Sequence, residues 1–275
     1  MTDALWLADA WRPFFARHRL ETLDAFLTCC AGRLVSGRGD GLETLCIELA
    51  DPGGRSRVLF LKRYAGFRGS WRHYVKVRRL RREVAALQWL RAAGLPVPDL
   101  LAWGVRRRWG VVTASFFVTA GLEDAGALSP RPAAYSPCED EDAAPWLTAL
   151  ARTAGQMHRA GFFHGNLYGR NVLFEPQTGR LFLIDFPDCR ITPPLLVRPR
   201  LAARDLSCLL HDLPSLPAGA EARFLAAYGD ERWPHYSPAA RRWLAQRLTR
   251  RIRRHAAARR IRLRLSGKRA AASAP

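Results

Sequence analysis

Acids are the scarce residues of this chain. It carries 24 Asp and Glu against 44 Lys and Arg, for a formal net charge of +20, and from Arg241 to Arg269 thirteen basic residues run without one acid. That imbalance excludes a basic partner and calls for an anionic one, whether phospholipid, nucleic acid or a phosphorylated glycan. Paired cysteines are missing as well. The six present (Cys29, Cys30, Cys46, Cys138, Cys189, Cys208) contain no CxxC spacing, which argues against a zinc or redox motif and fits a reduced, cytoplasmic protein. No run of about 18 apolar residues occurs, and the start, MTDALWLADAWRPFF, has early acids and no basic segment leading into an apolar core. Neither a membrane span nor a standard secretory signal is expected. Zinc spacing, an aromatic RNA-binding signature and a helix-turn-helix are all lacking, so nucleic acid is disfavoured among the anionic partners.

What is present suffices for a folded protein. With 275 residues and 48% hydrophobic content, the chain can form one domain with two lobes or two small domains. Trp6, Leu7, Trp11, Phe14, Phe15, Leu23, Phe26 and Leu27 predict one or two short helices interrupted at Pro13, with the aromatics in a core. Next, VSGRGDGLETLCIEL sets Gly37, Gly39 and Gly41 before a strand-like run. Such a turn lays backbone N–H groups against phosphate or closes an ordinary hairpin, and both readings stay open. RVLFLKRY (57–64) reads as a strand with Lys62 directly after the apolar stretch Val58–Leu61.

Val77, Leu80, Val84, Leu87 and Leu90 recur at helical spacing, and the helix should stop near Gly94, with Pro96 and Pro98 beyond it. Its one acid is Glu83. Either Arg78, Arg79, Arg81 and Arg82 neutralise it, or packing of the helix on the strand aims it at Lys62. WGVRRRWG (103–110) looks like a hairpin and VVTASFFVT (111–119) like a buried strand, which completes a sheet with one helix. Pro130, Pro132, Pro137, Pro145 and the acidic cluster Glu139–Asp142 mark 124–145 as an exposed loop. PWLTALARTAGQMHRA then predicts a helix with Pro145 in its first turn, and 201–213 and 220–228 predict two more.

The chain is organised around HRAGFFHGNLYGRNVLFEPQTGRLFLIDFPD (158–188). Two apolar runs, Val172–Phe174 and Leu181–Ile184, flank the turn-like Pro176–Gly179. As a hairpin they bring His164, Asn166 and Asn171 near Asp185. A polar loop before the hairpin and a carboxylate after it suit a phosphate-and-metal site.

Glycine turn, strand lysine, helix glutamate, HGNLYGRN loop and IDF follow one another in an order that resembles a protein-kinase-like fold. In detail, FLKRY, REVAALQWLRAAGLPVP, FFVTAGLEDAGAL, MHRAGFFHGNLYGRNVLF, LFLIDFPDCR and ARDLSCLL, within about 34–230, resemble the bacterial lipopolysaccharide kinase family, which phosphorylates heptose or Kdo sugars of the inner core. The resemblance implies an α+β, two-lobed architecture: a small N-terminal β-sheet lobe with one main helix and a mostly helical C-terminal lobe. Its expected parts are an N-terminal helical extension (1–33), the N-lobe (34–120), a linker loop (121–145), the C-lobe (146–240), and a basic amphipathic helix and tail (241–275).

The same resemblance implies ATP and Mg2+ as cofactors. Lys62 would touch the nucleotide phosphates and pair with Glu83, Gly37, Gly39 and Gly41 would line the nucleotide, and Asn171 and Asp185 would hold magnesium through oxygen ligands. His164 would support the loop backbone. Asp205, in RDL, matches a family position that braces the catalytic loop; its other reading is an acid at a helix start favoured by the dipole. Two positions depart from the family. Asn166 stands where the HxDxxxxN pattern has its aspartate, and a neutral amide orients a hydroxyl without accepting its proton. Pro187 replaces the glycine or aspartate usual after Asp185–Phe186 and stiffens that loop. The implied function is ATP-dependent phosphorylation of an inner-core sugar, with Lys62, Asn166 and Asp185 at the reaction and the protein peripheral on the cytoplasmic membrane face. The alternative is a nucleotide-binding pseudokinase with a regulatory or scaffolding role.

Leu244, Leu248, Ile252 and Ala256 recur every four positions, so the basic C-terminal stretch predicts an amphipathic helix packed on the second lobe. Its arginines, and the cluster Arg68–Arg82, suit an anionic membrane surface or phosphates on lipopolysaccharide core oligosaccharide. The final GKRAAASAP is expected to be disordered.

Overall fold

Residues 2–38, 41–64, 71–122, 125–128, 145–193, 198–213 and 219–272 are described by a computed structural model, in which the chain divides into two units, 1–124 and 125–275. Strands β1 (Thr2–Leu7), β2 (Arg33–Arg38), β3 (Leu42–Ala50), β4 (Ser56–Tyr64), β5 (Leu100–Arg108) and β6 (Val111–Ala120) form the sheet of the first unit. Their order is β1-β5-β6-β4-β3-β2, antiparallel throughout. Leu59, Leu61, Ala114, Phe116 and Val118 share a core with Phe14 and Phe15 of α1 (Arg12–Arg17) and Phe26 of α2 (Leu23–Thr28). Phe26 stacks on Phe116 with ring centroids 4.4 Å apart. Because side chains alternate faces along a strand, Lys62 is turned away from that core. Helix α3 (Trp71–Ala92) runs along β4, β5 and β6.

Thr2–Leu7 corrects the helical extension expected over 1–33. It is an edge strand on β5, with Leu7 opposite Ala102, and helices follow only at α1 and α2. A run this short satisfies either periodicity, so the distant partner strand decides. Pro13 does not interrupt a helix; it sits in the first turn of α1, where its missing N–H is not needed.

Helix α3 stops where expected. Gly94 adopts φ +71°, its N–H donates to the Arg91 carbonyl, and the Leu95 N–H reaches back to Leu90. Leu90 and Leu95 are both buried, which completes a Schellman end with its hydrophobic contact. The expected hairpin over 103–110 turns at Trp109 and Gly110, at φ +48° and +78°, as a two-residue turn between right-twisted strands requires.

The second unit is mostly helical: α4 (Pro145–Arg159), α5 (Pro199–Asp212), α6 (Ala220–Arg232) and α7 (Pro238–Ala272). Helix α4 packs on α6, and α7 packs on α5 and α6. Short strands β7 (Gly126–Ala127), β9 (Val172–Glu175) and β10 (Arg180–Leu183) form one small sheet in the order β10-β9-β7, and β8 (Phe162–Phe163) pairs with β11 (Arg190–Ile191). The expected hairpin is present, with Val172 opposite Leu183 and Glu175 opposite Arg180. Within the expected linker loop, β7 is paired with β9; Pro130, Pro132, Pro137 and the cluster Glu139–Asp142 lie outside the described residues.

Leu248 and Ile252 of α7 are buried, and α7 continues to Ala272. The helix therefore enters the GKRAAASAP segment expected to be disordered, because Ala, Lys and Arg are strong helix formers and no proline intervenes before Pro275. Residues 273–275 lie outside the described set.

Candidate active site

In the first unit, Lys62 and Glu83 form an ion pair. Lys62 sits on β4 between Thr44 of β3 and Phe117 of β6, on the face away from the α1–α2 core. Glu83 falls on the apolar stripe of α3, three residues after Leu80 and four before Leu87, and is only 3% exposed. A carboxylate in that position requires a cation. Lys62 Nζ supplies it, 2.9 Å from Oε1 and 2.8 Å from Oε2. Of the two readings open for Glu83, the structure therefore realises the one aimed at Lys62. Gly37 lies in β2 opposite Glu43, and Gly41 opens β3 at φ +86°; Gly39 lies outside the described residues. Gly37 and Gly41 thus flank a β2–β3 hairpin connection.

The second unit holds its polar loop through one carboxylate. Asp205 is 1% exposed. Its Oδ2 accepts the His164 N–H at 2.8 Å, and its Oδ1 accepts the Gly165 N–H at 2.9 Å. The same Oδ2 lies 3.3 Å from His158 Nε2. Asp205 is the seventh residue of α5, so the helix-start reading does not hold and the loop-bracing one does. A carboxylate only accepts, so in a neutral His158 ring Nε2 carries the proton and Nδ1 accepts the Tyr228 O–H at 2.9 Å. Burial lowers the His158 pKa, against the opposing pull of Asp205, and burial raises that of Tyr228. Both groups stay neutral.

The loop itself is tight. Gly165 has φ +76°, and a Cβ there would stand 2.2 Å from the Asp188 carbonyl oxygen, so only glycine fits. His164 Nε2 donates to the Ile184 carbonyl at 3.1 Å, which ties the loop to the strand end carrying Asp185. Burial lowers the His164 pKa as well. Phe186 is buried between Phe162 and His164, with ring centroids 5.8 and 4.9 Å away.

Asn166, Asn171 and Asp185 come together on this frame. Asn171 Nδ2 donates to the Asn166 carbonyl at 2.8 Å, and the Ile184 N–H donates to the Asn171 carbonyl at 3.0 Å. Asn166 Nδ2 lies 3.5 Å from Asp185 Oδ2, a long contact. Asp185 adopts φ +65°, a left-handed conformation that aspartate tolerates better than most residues. With its NH2 committed to a carbonyl, Asn171 has Oδ1 left to offer a cation. The donor set is therefore one amide oxygen and one carboxylate, hard oxygen ligands of the kind magnesium takes. Among the described residues no group of three or more His, Cys, Asp or Glu is arranged to hold a metal ion, so a cation here would draw its remaining ligands from phosphate and water.

The predicted site residues with side chains are thus placed beside partners of their own unit: Lys62 with Glu83, and Asn166, Asn171 and Asp185 on the frame set by His164 and Asp205; Gly37 and Gly41 are placed only at the β2–β3 connection. Sequence reasoning passed over His158 and Tyr228. A histidine in the last turn of an apolar helix carries no distinctive signal, and its partners stand 47 and 70 residues away.

The model of the Lipopolysaccharide kinase (Kdo/WaaP) family matches residues 54–228, more than half of the chain. Among solved structures, WaaP in complex with acyl carrier protein superposes with a TM-score of 0.60 over 90% of this chain and 99% of that one, at 22% identity. That likeness establishes the fold as α+β and protein-kinase-like. No curated protein sequence matches the chain.

Proposed function

The chain belongs to the lipopolysaccharide kinase (Kdo/WaaP) family, and from that premise we propose that it transfers the γ-phosphoryl group of ATP to a heptose or Kdo hydroxyl of the lipopolysaccharide inner core. The observation that carries this reading is the buried Lys62–Glu83 pair, with Nζ within 2.9 Å of both carboxylate oxygens. Glu83 holds the ammonium in one place, where it offers a fixed positive charge to the nucleotide phosphates. Asn171 Oδ1 and the Asp185 carboxylate would hold Mg2+, which would neutralise phosphate charge. By the family resemblance, Gly37, Gly39 and Gly41 would line the nucleotide. Phosphoryl transfer depends mainly on position and charge neutralisation, so Asn166 contributes by orienting the acceptor hydroxyl while its proton leaves to water.

Asn166 also motivates a second reading, a nucleotide-binding pseudokinase, because its amide contacts Asp185 and is no base. Transfer of radiolabelled phosphate from ATP to dephosphorylated core oligosaccharide separates the two. Wild type should exceed Lys62→Ala, and Asn166→Asp should be faster by up to about 10²–10⁴-fold. Wild-type transfer no greater than Lys62→Ala removes the kinase reading; retained ATP binding would then favour the pseudokinase.

The setting we propose is the cytoplasmic face of the inner membrane. Arg242, Arg250, Arg253 and Arg254 are exposed along α7 beside Trp243, itself 54% exposed. No helix among the described residues is long and apolar enough to cross a membrane. Each such arginine contributes about 1 kcal/mol at an anionic leaflet, so the protein should float with anionic vesicles and not with neutral ones.

A further inference from the structure

Two arginines of the second unit, one from the loop and one from α7, gather around Tyr168, two residues beyond Asn166 in the same loop. Arg170 Cζ lies 4.2 Å from the centre of the Tyr168 ring, and Arg259 Cζ of α7 lies 5.1 Å from it. Arg259 Nη2 also approaches the Tyr168 hydroxyl at 3.4 Å. That hydroxyl is hydrogen-bonded to the Cys208 thiol of α5. Burial, followed by Cys208, raises the Tyr168 pKa, so the phenol is neutral and offsets none of this charge. Among the described residues, Arg170 and Arg259 form no ion pair, and Arg259 Nη1 is buried without a hydrogen-bond partner. Asp205, whose charge reaches Cys208, is already committed to His158 and to the His164 and Gly165 N–H groups.

Cations held against one ring repel each other, and a guanidinium N–H buried without an acceptor is costly. An anion that the two share removes both penalties, and the planar guanidinium fork matches tetrahedral phosphate. We infer that Tyr168, Arg170 and Arg259 form a subsite for a phosphate monoester already present on the acceptor, with the basic helix α7 supplying one of its walls. This deepens the kinase reading and rests on it only for the acceptor's identity. Tyr168 keeps the arginines apart and fixes their distance from Asn166: its N–H donates to the Asn166 carbonyl at 3.0 Å, and its carbonyl accepts the Asn171 N–H at 2.9 Å. Arg259 is thereby a specificity-determining residue about 90 positions from the loop it serves.

Calorimetric titration of the full-length protein with glucose 1-phosphate tests the subsite, with glucose and gluconate as uncharged and carboxylate controls and ATP titrated in parallel. Wild type should prefer the phosphate ester to both controls. Arg259→Gln and, separately, the exposed loop variant Arg170→Gln should each weaken ester binding about tenfold, the loss of one charge-assisted contact, with ATP affinity unchanged. Ester binding equal to wild type in Arg170→Gln and in a folded Arg259→Gln overturns the subsite, as does equal binding of ester and gluconate. A parallel loss of ATP affinity assigns the arginines to the nucleotide and overturns it too. Should ester binding behave as expected while no phosphoryl transfer occurs, the kinase reading fails and the subsite stands.

Discussion

The two units place their polar groups by different means. In the first, one lysine on a strand meets one glutamate on a helix, and the geometry depends on two side chains. In the second, a single carboxylate on α5 gathers two backbone N–H groups and a histidine, and this frame shapes the loop that carries Asn166 and Asn171. A side-chain pair is replaceable as a unit, because apolar residues of similar size fill the same space without uncompensated charge. A frame that satisfies buried backbone donors has no such substitute, since the donors remain when the acceptor is removed.

The sharpest way to break that comparison is Asp205→Ala. It strands the His164 and Gly165 N–H groups and His158 Nε2, each worth about 1–3 kcal/mol when buried without a partner. We expect a loss of about 3–6 kcal/mol in urea unfolding; a loss below about 1 kcal/mol would show that the loop is held by other means. Next in size is Lys62→Ala, which removes the ammonium bonded to both oxygens of the buried Glu83 carboxylate, at a cost of about 3 kcal/mol. The double variant Lys62→Met, Glu83→Leu should recover most of that stability while losing ATP binding. A double variant as unstable as the single would mean that the ion pair also directs the fold.

The smallest effect is one of pH. Burial holds His158 and His164 below the ordinary histidine pKa, so between the folded value and the unfolded value of about 6.5 the unfolded chain binds more protons. Their contribution is fully present above about pH 6.5 and is lost as pH falls below it, at most about 1.4 kcal/mol per pH unit for each histidine. Denaturation midpoints measured from pH 7.5 down to 5 should be level and then decline. A level profile throughout would mean that the folded protein accommodates the charged rings.

Much of this was legible before any coordinates. The stripe Val77, Leu80, Val84, Leu87 and Leu90, with Gly94 to stop it, specified α3, and the hairpin after Asn171 followed from two apolar runs and a turn. The resemblance to a family supplied the pairing of Lys62 with Glu83, which the residues alone left open beside neutralisation by neighbouring arginines. Other features were not legible, for identifiable reasons. Thr2–Leu7 satisfies helix and strand periodicity alike, and its partner β5 lies almost a hundred residues on. Asp205 reads equally well as a helix-start acid until two N–H groups are seen on its oxygens. His158, Tyr228 and Arg259 carry no pattern at all, since each acts on a residue distant in sequence.

The sequence by itself determined the local elements, the surplus of positive charge and the order of the chemical groups, because periodicity, capping and composition act between near neighbours. Which helix acid would be buried against a lysine, which carboxylate would support the loop, and which arginines of α7 would reach Tyr168 were decided only by the tertiary structure. Those choices depend on desolvation and on partners brought together across long stretches of chain, where a buried charge or N–H takes whatever partner the packing brings within 3 Å or so.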